Sequence, residues 1–159
     1  MVAAYHLVWT VYGYWLPNDP RGSMSSEIRN PLIAELGDIH FGRKKIQPAG
    51  RMLREFHDAA RQVLQHELLK FSAAEVQAIG ESFAEVIGKR SYTCYACAIM
   101  PDHIHILIRK HRDIAETMIE HLQEKSREGV LRLGNRSADH PVWGGPGWKV
   151  YLATRDDIV

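Results

Sequence analysis

The chain has 159 residues, 45% of them hydrophobic and 25% charged, with a formal net charge of +1. That composition excludes a disordered, collagenous or disulfide-framed chain and fits one globular domain, large enough to bury a core without staples. No apolar run approaches the ~20 residues of a membrane span, and the opening Met1-Val2-Ala3-Ala4-Tyr5-His6 lacks a basic region followed by an apolar one, so the expected location is cytoplasmic.

Residues 5–12 are β-branched and aromatic, with Leu7, Trp9 and Val11 on one face and His6, Val8 and Thr10 on the other, which predicts a first strand. From Gly13 to Gly50 no clear period returns, and the stretch is expected to be an irregular insertion into a single domain of residues 1–159. Met52, Leu53, Phe56, Ala59, Ala60, Val63, Leu64 and Leu68 keep helical spacing and predict a helix over 51–69. A second helix opens on the capping box Ser72 and Glu75 and stops at Gly88. Strands follow at 91–99 and 103–108, joined by Met100-Pro101-Asp102 as an antiparallel hairpin.

Asp113 and Glu116 repeat the capping pattern and start a helix running to about Leu133. Trp148-Lys149-Val150-Tyr151-Leu152 reads as the last strand, and Thr154 with Asp156-Asp157 as a helix beginning, which suggests a C-terminus truncated relative to the natural protein. The order is β-α-β-β-α-β: an α+β, ferredoxin-like fold with a four-stranded antiparallel sheet and helices on one face.

Cys94 and Cys97 form a C-x-x-C, but on a regular strand residues three apart point to opposite faces, and no second ligand pair exists for zinc. They are expected to be buried, reduced core thiols.

The sharpest chemical feature is Pro101-Asp102-His103-Ile104-His105. Strand alternation projects His103 and His105 from one face at a spacing that lets both imidazoles reach one metal ion, with Ile104 directed to the packed side. Ordinary partly buried histidines would show the same spacing. A histidine-triad hydrolase would need a third histidine where Leu107 stands, and a two-histidine phosphoesterase would need a second motif that is not present.

The run Met100-Pro101-Asp102-His103-Ile104-His105-Ile106-Leu107-Ile108 resembles the motif of the HUH single-tyrosine transposases, the REP-associated and insertion-sequence-200-like ones in particular. Tyr5-His6-Leu7-Val8-Trp9, Ala96-Cys97-Ala98-Ile99 and Val142-Trp143 extend the likeness in the expected order, and Trp15-Leu16-Pro17 with Asp19-Pro20-Arg21-Gly22 is similar to a subgroup. The resemblance implies a ferredoxin-like nuclease that binds single-stranded or hairpin DNA, in some cases as a homodimer. Two histidines and a polar residue of the later helix would hold Mg²⁺ or Mn²⁺, and a tyrosine would attack phosphorus to give a 5′-phosphotyrosyl link and a free 3′-hydroxyl.

Gln123, Glu124 and Glu128 lie on that helix, Glu124 being the favoured third ligand. The sequence departs from the pattern at the nucleophile: Leu122-Gln123-Glu124-Lys125-Ser126 carries lysine where the tyrosine is expected, and Tyr151 is the only downstream tyrosine. A catalytically inactive DNA-binding descendant and a phosphodiesterase using activated water therefore stand as alternatives to strand cleavage and rejoining. Local basic groups are candidates for phosphate contacts: Arg43, Lys44 and Lys45 with Arg51 and Arg54; Arg109, Lys110 and Arg112; and Lys125 and Arg127 with Arg132 and Arg136. Tyr14, Trp15, Trp143 and Trp148 could stack unpaired bases or anchor loops.

Overall fold

A computed structural model describes residues 1–158. In chain order the elements are β1 (Ala4–Thr10), α1 (Pro31–Ala34), α2 (Gly50–Val63), α3 (Ala73–Arg90), β2 (Cys94–Ile99), β3 (His103–Arg109), α4 (Ala115–Arg132) and β4 (Trp148–Leu152). They fall into two compact units: Met1–Tyr12 with the chain from Lys70 onward, and Gly13–Leu69.

The first unit is the β-α-β-β-α-β arrangement. Its sheet has the order β2-β3-β1-β4, and β1 pairs antiparallel with both β3 and β4. Alternation along β1 and β3 sends Leu7, Trp9, Ile104, Ile106 and Ile108 to one face, where each is essentially fully buried. There they meet Ile79 and Phe83 of α3 and Met118, Ile119 and Leu122 of α4, with the Trp9 and Phe83 rings edge to face at 5.7 Å. Each such side chain contributes about 1.5–3 kcal/mol on leaving water. Both long helices thus cover one face. The other face carries His6, Val8, Thr10, His103, His105 and Leu107, all partly exposed.

The helix termini show how the sequence directs this. Ser72 and Glu75 form the expected capping box, while α3 runs past Gly88 and ends at Ser91 in the left-handed region. The second expected cap does not form. Ile114 is the N-cap of α4 without a side-chain bond, because the Asp113 carboxylate accepts the Tyr92 hydroxyl at 2.8 Å instead. In the last turn of α4, Gly129 lets the two helices touch: a β-carbon there would run into Ser82 Oγ and lie 3.2 Å from the Ala78 carbonyl oxygen.

The cysteines also differ from expectation. A β-bulge between Cys94 and Ala96 shifts the register, so Cys94 opposes Ile108 and Cys97 opposes Ile106, which puts both on the helix-covered face. Both thiols are free, Cys94 half-buried and Cys97 exposed at the sheet edge. Crowding around the sulfur nevertheless pushes the Cys97 thiol up to about 11, with Cys94 adding to the shift.

The second unit contains the stretch expected to be irregular together with α2. Leu16, Phe56 and Ala60 form its core, with Ile33, Leu36 and Leu64 packed against them. Polar side chains order the rest. Asn18 Nδ2 donates to the Ile33 and Gly37 carbonyls at 2.6 and 3.3 Å, and the buried Asp19 carboxylate accepts three N–H groups of Arg21, whose guanidinium lies 3.9 Å over the Trp15 ring. The helix expected over 51–69 ends at Val63, where Leu64 turns extended.

Near the C-terminus, the helix start expected at Thr154 is a turn in which Asp157 accepts the Ala153 and Thr154 amides. No helix among the described residues is long and apolar enough to cross a membrane.

Candidate metal and nucleic-acid site

β3 is a regular interior strand, so the alternation read from its sequence holds without a slip: His103, His105, Leu107 and Arg109 share the face the helices leave open. The His103 and His105 rings lie with centroids 5.0 Å apart at 82°. Each is held through its Nδ1. Asp102 Oδ1 receives the His103 Nδ1 proton at 2.6 Å, and His105 Nδ1 lies 2.9 Å from Nε2 of His6, whose ring stacks on it at 5.1 Å. His6 was not singled out from the sequence, although its place among the even residues of β1 puts it on this face.

With the Nδ1 atoms so occupied, the Nε2 atoms of both β3 histidines have no hydrogen-bond partner among the described residues. The carboxylate behind His103 Nδ1 fixes that ring and its tautomer and raises the basicity of the opposite nitrogen, whereas His6 fixes the orientation of the His105 ring and lets either partner donate. Burial, then the neighbouring His103 and His6, hold the His105 pKa below its ordinary value, favouring the neutral ring that a cation requires. As a donor set, two imidazole nitrogens on one face are compatible with a divalent cation that takes oxygen ligands besides. Among the described residues no group of three His, Cys, Asp or Glu side chains is placed to hold a metal.

The other expected site residues lie elsewhere. Glu124 is exposed on α4, and α4 packs on the opposite face of the sheet, so the chain does not bring it to the histidines. Tyr151 opposes Tyr5 in the β1–β4 register and the two rings meet at 5.8 Å, which directs Tyr151 to the helix-covered face as well. Neither alternative on α4 is a nucleophile: Lys125 is paired with Glu85 at 2.9 Å, and Ser126, fully buried, donates to the Leu122 carbonyl at 2.5 Å.

The basic candidates separate into committed and free. Arg127 donates to the His140 and Ala138 carbonyls, Arg132 pairs with Glu128, and Arg136, beyond the end of α4, pairs with Glu75, so these cations are engaged within the protein. Arg43, Lys44 and Lys45 are exposed in the Gly13–Leu69 unit. Arg109 and Lys110 have no ion-pair partner among the described residues, and Arg112 reaches only Asp113, at 4.0 Å.

Of the aromatic candidates, Trp143 is a packing anchor: its ring abuts Trp9 and Phe71 and its Nε1 donates to the Gln123 carbonyl. Trp15 takes the Arg21 guanidinium, and Tyr14 lies beside His57. Trp148, opposite Val8, is 42% exposed and shares the histidine face.

Searches among family models and among curated proteins found no match. Solved structures do resemble the chain. A REP-associated tyrosine transposase bound to a REP hairpin aligns over 98% of this chain at 9% identity and a TM-score of 0.48, and the chain spans 59% of its length. A candidate transposase of Deinococcus radiodurans, solved at 1.90 Å resolution, aligns over 99% of this chain and 85% of its own, at 9% identity and a TM-score of 0.50. At such identity the likeness is one of fold: the α+β architecture derived above is shared with the Deinococcus chain.

Proposed function

We propose that this chain is a transposase-like protein that binds single-stranded or hairpin DNA across the open face of its sheet and takes part in metal-dependent strand cleavage and rejoining. The observation that carries the reading is the pair of imidazoles on β3, both anchored through Nδ1 and both facing the uncovered side. His103 and His105 would hold Mg²⁺ or Mn²⁺, which when bound supplies Lewis-acid polarisation of a phosphate oxygen. Asp102 and His6 orient the two rings, and Arg109 and Lys110 neutralise backbone charge. The fold shared with a candidate transposase and the motif around the histidines support the same direction.

A second reading, binding without cleavage, is favoured by a specific observation. The residue at the expected nucleophile position, Lys125, is spent on Glu85, and Tyr151 projects to the wrong side of the sheet. One experiment separates the readings: incubation of end-labelled hairpin DNA with the protein and Mn²⁺, followed by denaturing electrophoresis. A covalent protein–DNA adduct supports transesterification, and retention with intact DNA supports binding alone. Cleavage without an adduct points to activated water. Unchanged cleavage by a His103→Ala, His105→Ala variant would remove the site from the mechanism.

A further inference from the structure

The last turn of α3 and the segment that follows β3 converge on a shallow hollow of about 620 Å³ lined by Lys89, Arg90, Ser91, Lys110, His111 and Arg112. None of these is acidic. Lys89, Arg90 and Lys110 have no ion-pair partner among the described residues; of the neighbouring carboxylates, Asp113 is engaged by the Tyr92 hydroxyl at 2.8 Å and Glu85 by Lys125 at 2.9 Å. A lysine and an arginine at a helix C-terminus are ordinary complements of its dipole, which accounts for Lys89 and Arg90. It does not account for Lys110 and Arg112 arriving from another element, Lys110 without an ion-pair partner among the described residues and Arg112 reaching only Asp113 at 4.0 Å. Gathering like charges costs free energy that an anion in their midst would recover.

The hollow also lies past the Arg109 end of the strand that carries the histidines. His103, His105, Leu107 and Arg109 follow one another along the open face of β3, and the chain then enters Lys110 at the rim. Six residue steps of ~3.3 Å place this end about 20 Å from His103. At ~3.4 Å per stacked nucleotide, that is a run of about six nucleotides.

We infer that the Lys89–Arg90–Lys110–Arg112 hollow is a backbone anchor: it takes phosphates of the same nucleic-acid strand whose reacting phosphate lies at His103 and His105, about six nucleotides away. The inference rests on the proposed binding of DNA to the open face and adds to it the length of strand required and the residues that hold its far end. Lys89 and Arg90 were not among the basic groups picked out from the sequence, since nothing in the chain order announces that the end of α3 meets the end of β3.

The test is fluorescence anisotropy with hairpin DNA bearing single-stranded extensions of increasing length on either side, titrated over a range of salt. For wild type, affinity should rise with extension length and level off near about six nucleotides on one side. An Arg90→Ala, Lys110→Ala, Arg112→Ala variant should lose that rise. Its log–log salt slope should fall by about 2, roughly 0.7 for each phosphate contact, with affinity about a hundredfold weaker near 0.1 M salt. Binding of hairpins without extensions should lose only the share of Lys110, a slope lowered by about 0.7. Two milder variants guard against a folding defect: Arg90→Lys with Arg112→Lys should keep the wild-type slope, and Lys110→Gln alone should lower it by about 0.7.

A wild-type slope in the triple variant overturns the anchor while leaving DNA binding intact. Absence of DNA binding by the wild-type protein overturns both readings together. Competition by inorganic phosphate or a mononucleotide as strong as that by the extended strand overturns the backbone assignment in favour of a small-anion site.

Discussion

Removing the guanidinium of Arg136 should destabilise the protein, and by an amount that depends on pH in a definite direction. Glu75 is 1% exposed, and its carboxylate accepts Arg136 Nε at 2.9 Å and the Ser72 amide at 2.8 Å. Breaking a buried pair by deleting one partner costs about 3–5 kcal/mol. Here the Ser72 amide remains and the departing side chain is 20% exposed, so that water can enter; about 2–3 kcal/mol is the expected loss for Arg136→Ala, or about 5–10 °C in melting temperature for a chain of this size. Burial alone would push the Glu75 carboxyl up, but the Arg136 and Ser72 hydrogen bonds outweigh it and hold the pKa below its ordinary value.

In the wild type, then, this group contributes stability above the unfolded pKa near ~4.3, and the contribution is lost as pH falls through the lower folded value. In the variant burial dominates, the folded pKa rises above the unfolded one, and the cost is complete at neutral pH and relieved by protonation. The gap between the two proteins should therefore be widest near pH 7 and narrow toward pH 4. Urea denaturation at several pH values measures it. A gap below about 1 kcal/mol at neutral pH, or one that does not vary with pH, refutes this account of the pair.

Asp102→Asn should weaken Mn²⁺ binding about tenfold, the lower end for loss of a group behind a ligand because this carboxylate is 26% exposed, with little change in melting; calorimetric titration reads both, and an unchanged affinity argues against the orienting role. Gly129→Ala should destabilise by about 1–2 kcal/mol despite the better helix propensity of alanine, because the added methyl meets Ser82, and Ser82→Ala in the same chain should restore most of the loss. At pH 8 the Cys97 thiolate should be scarce, and iodoacetamide should alkylate it about twentyfold more slowly than an ordinary thiol, the gain in intrinsic nucleophilicity offsetting part of the smaller thiolate fraction. Mass spectrometry against a model peptide settles that point, and an equal rate would show an unperturbed sulfur.

The legible parts of the molecule are those governed by local period. β3 follows strict alternation, and from that alone His103 and His105 could be assigned a common face. Which parity faces the helices was readable too, since Ile104, Ile106 and Ile108 are the apolar set. Tyr151 shows where this stops: only the register on β1 reveals that it shares the face of Tyr5. The Cys94 and Cys97 reading failed through a single extra residue, Tyr95, because a bulge inverts the parity of everything before it. The internal partners of Lys125, Arg127 and Arg136 were hidden for a different reason. Their partners, Glu85, Glu75 and the carbonyls of Ala138 and His140, are remote in sequence or lie in a loop without period, so a lysine pairing with another helix looks the same in sequence as one waiting for phosphate. In the Gly13–Leu69 unit, side-chain bonds from Asn18 and Asp19 supply the order, and such bonds leave no periodic trace.

The chain leaves the sheet unit after Tyr12 and returns to it at Lys70, and both stems are stitched to the same dipeptide. The Val11 amide donates to the Asp102 carbonyl at 3.0 Å, and the Phe71 amide to the Pro101 carbonyl at 2.9 Å. The turn that launches His103 is thus suspended between the two ends of a 57-residue excursion. A shift of either stem would therefore reach the backbone that leads into His103 within two residues, through hydrogen bonds made inside the sheet unit.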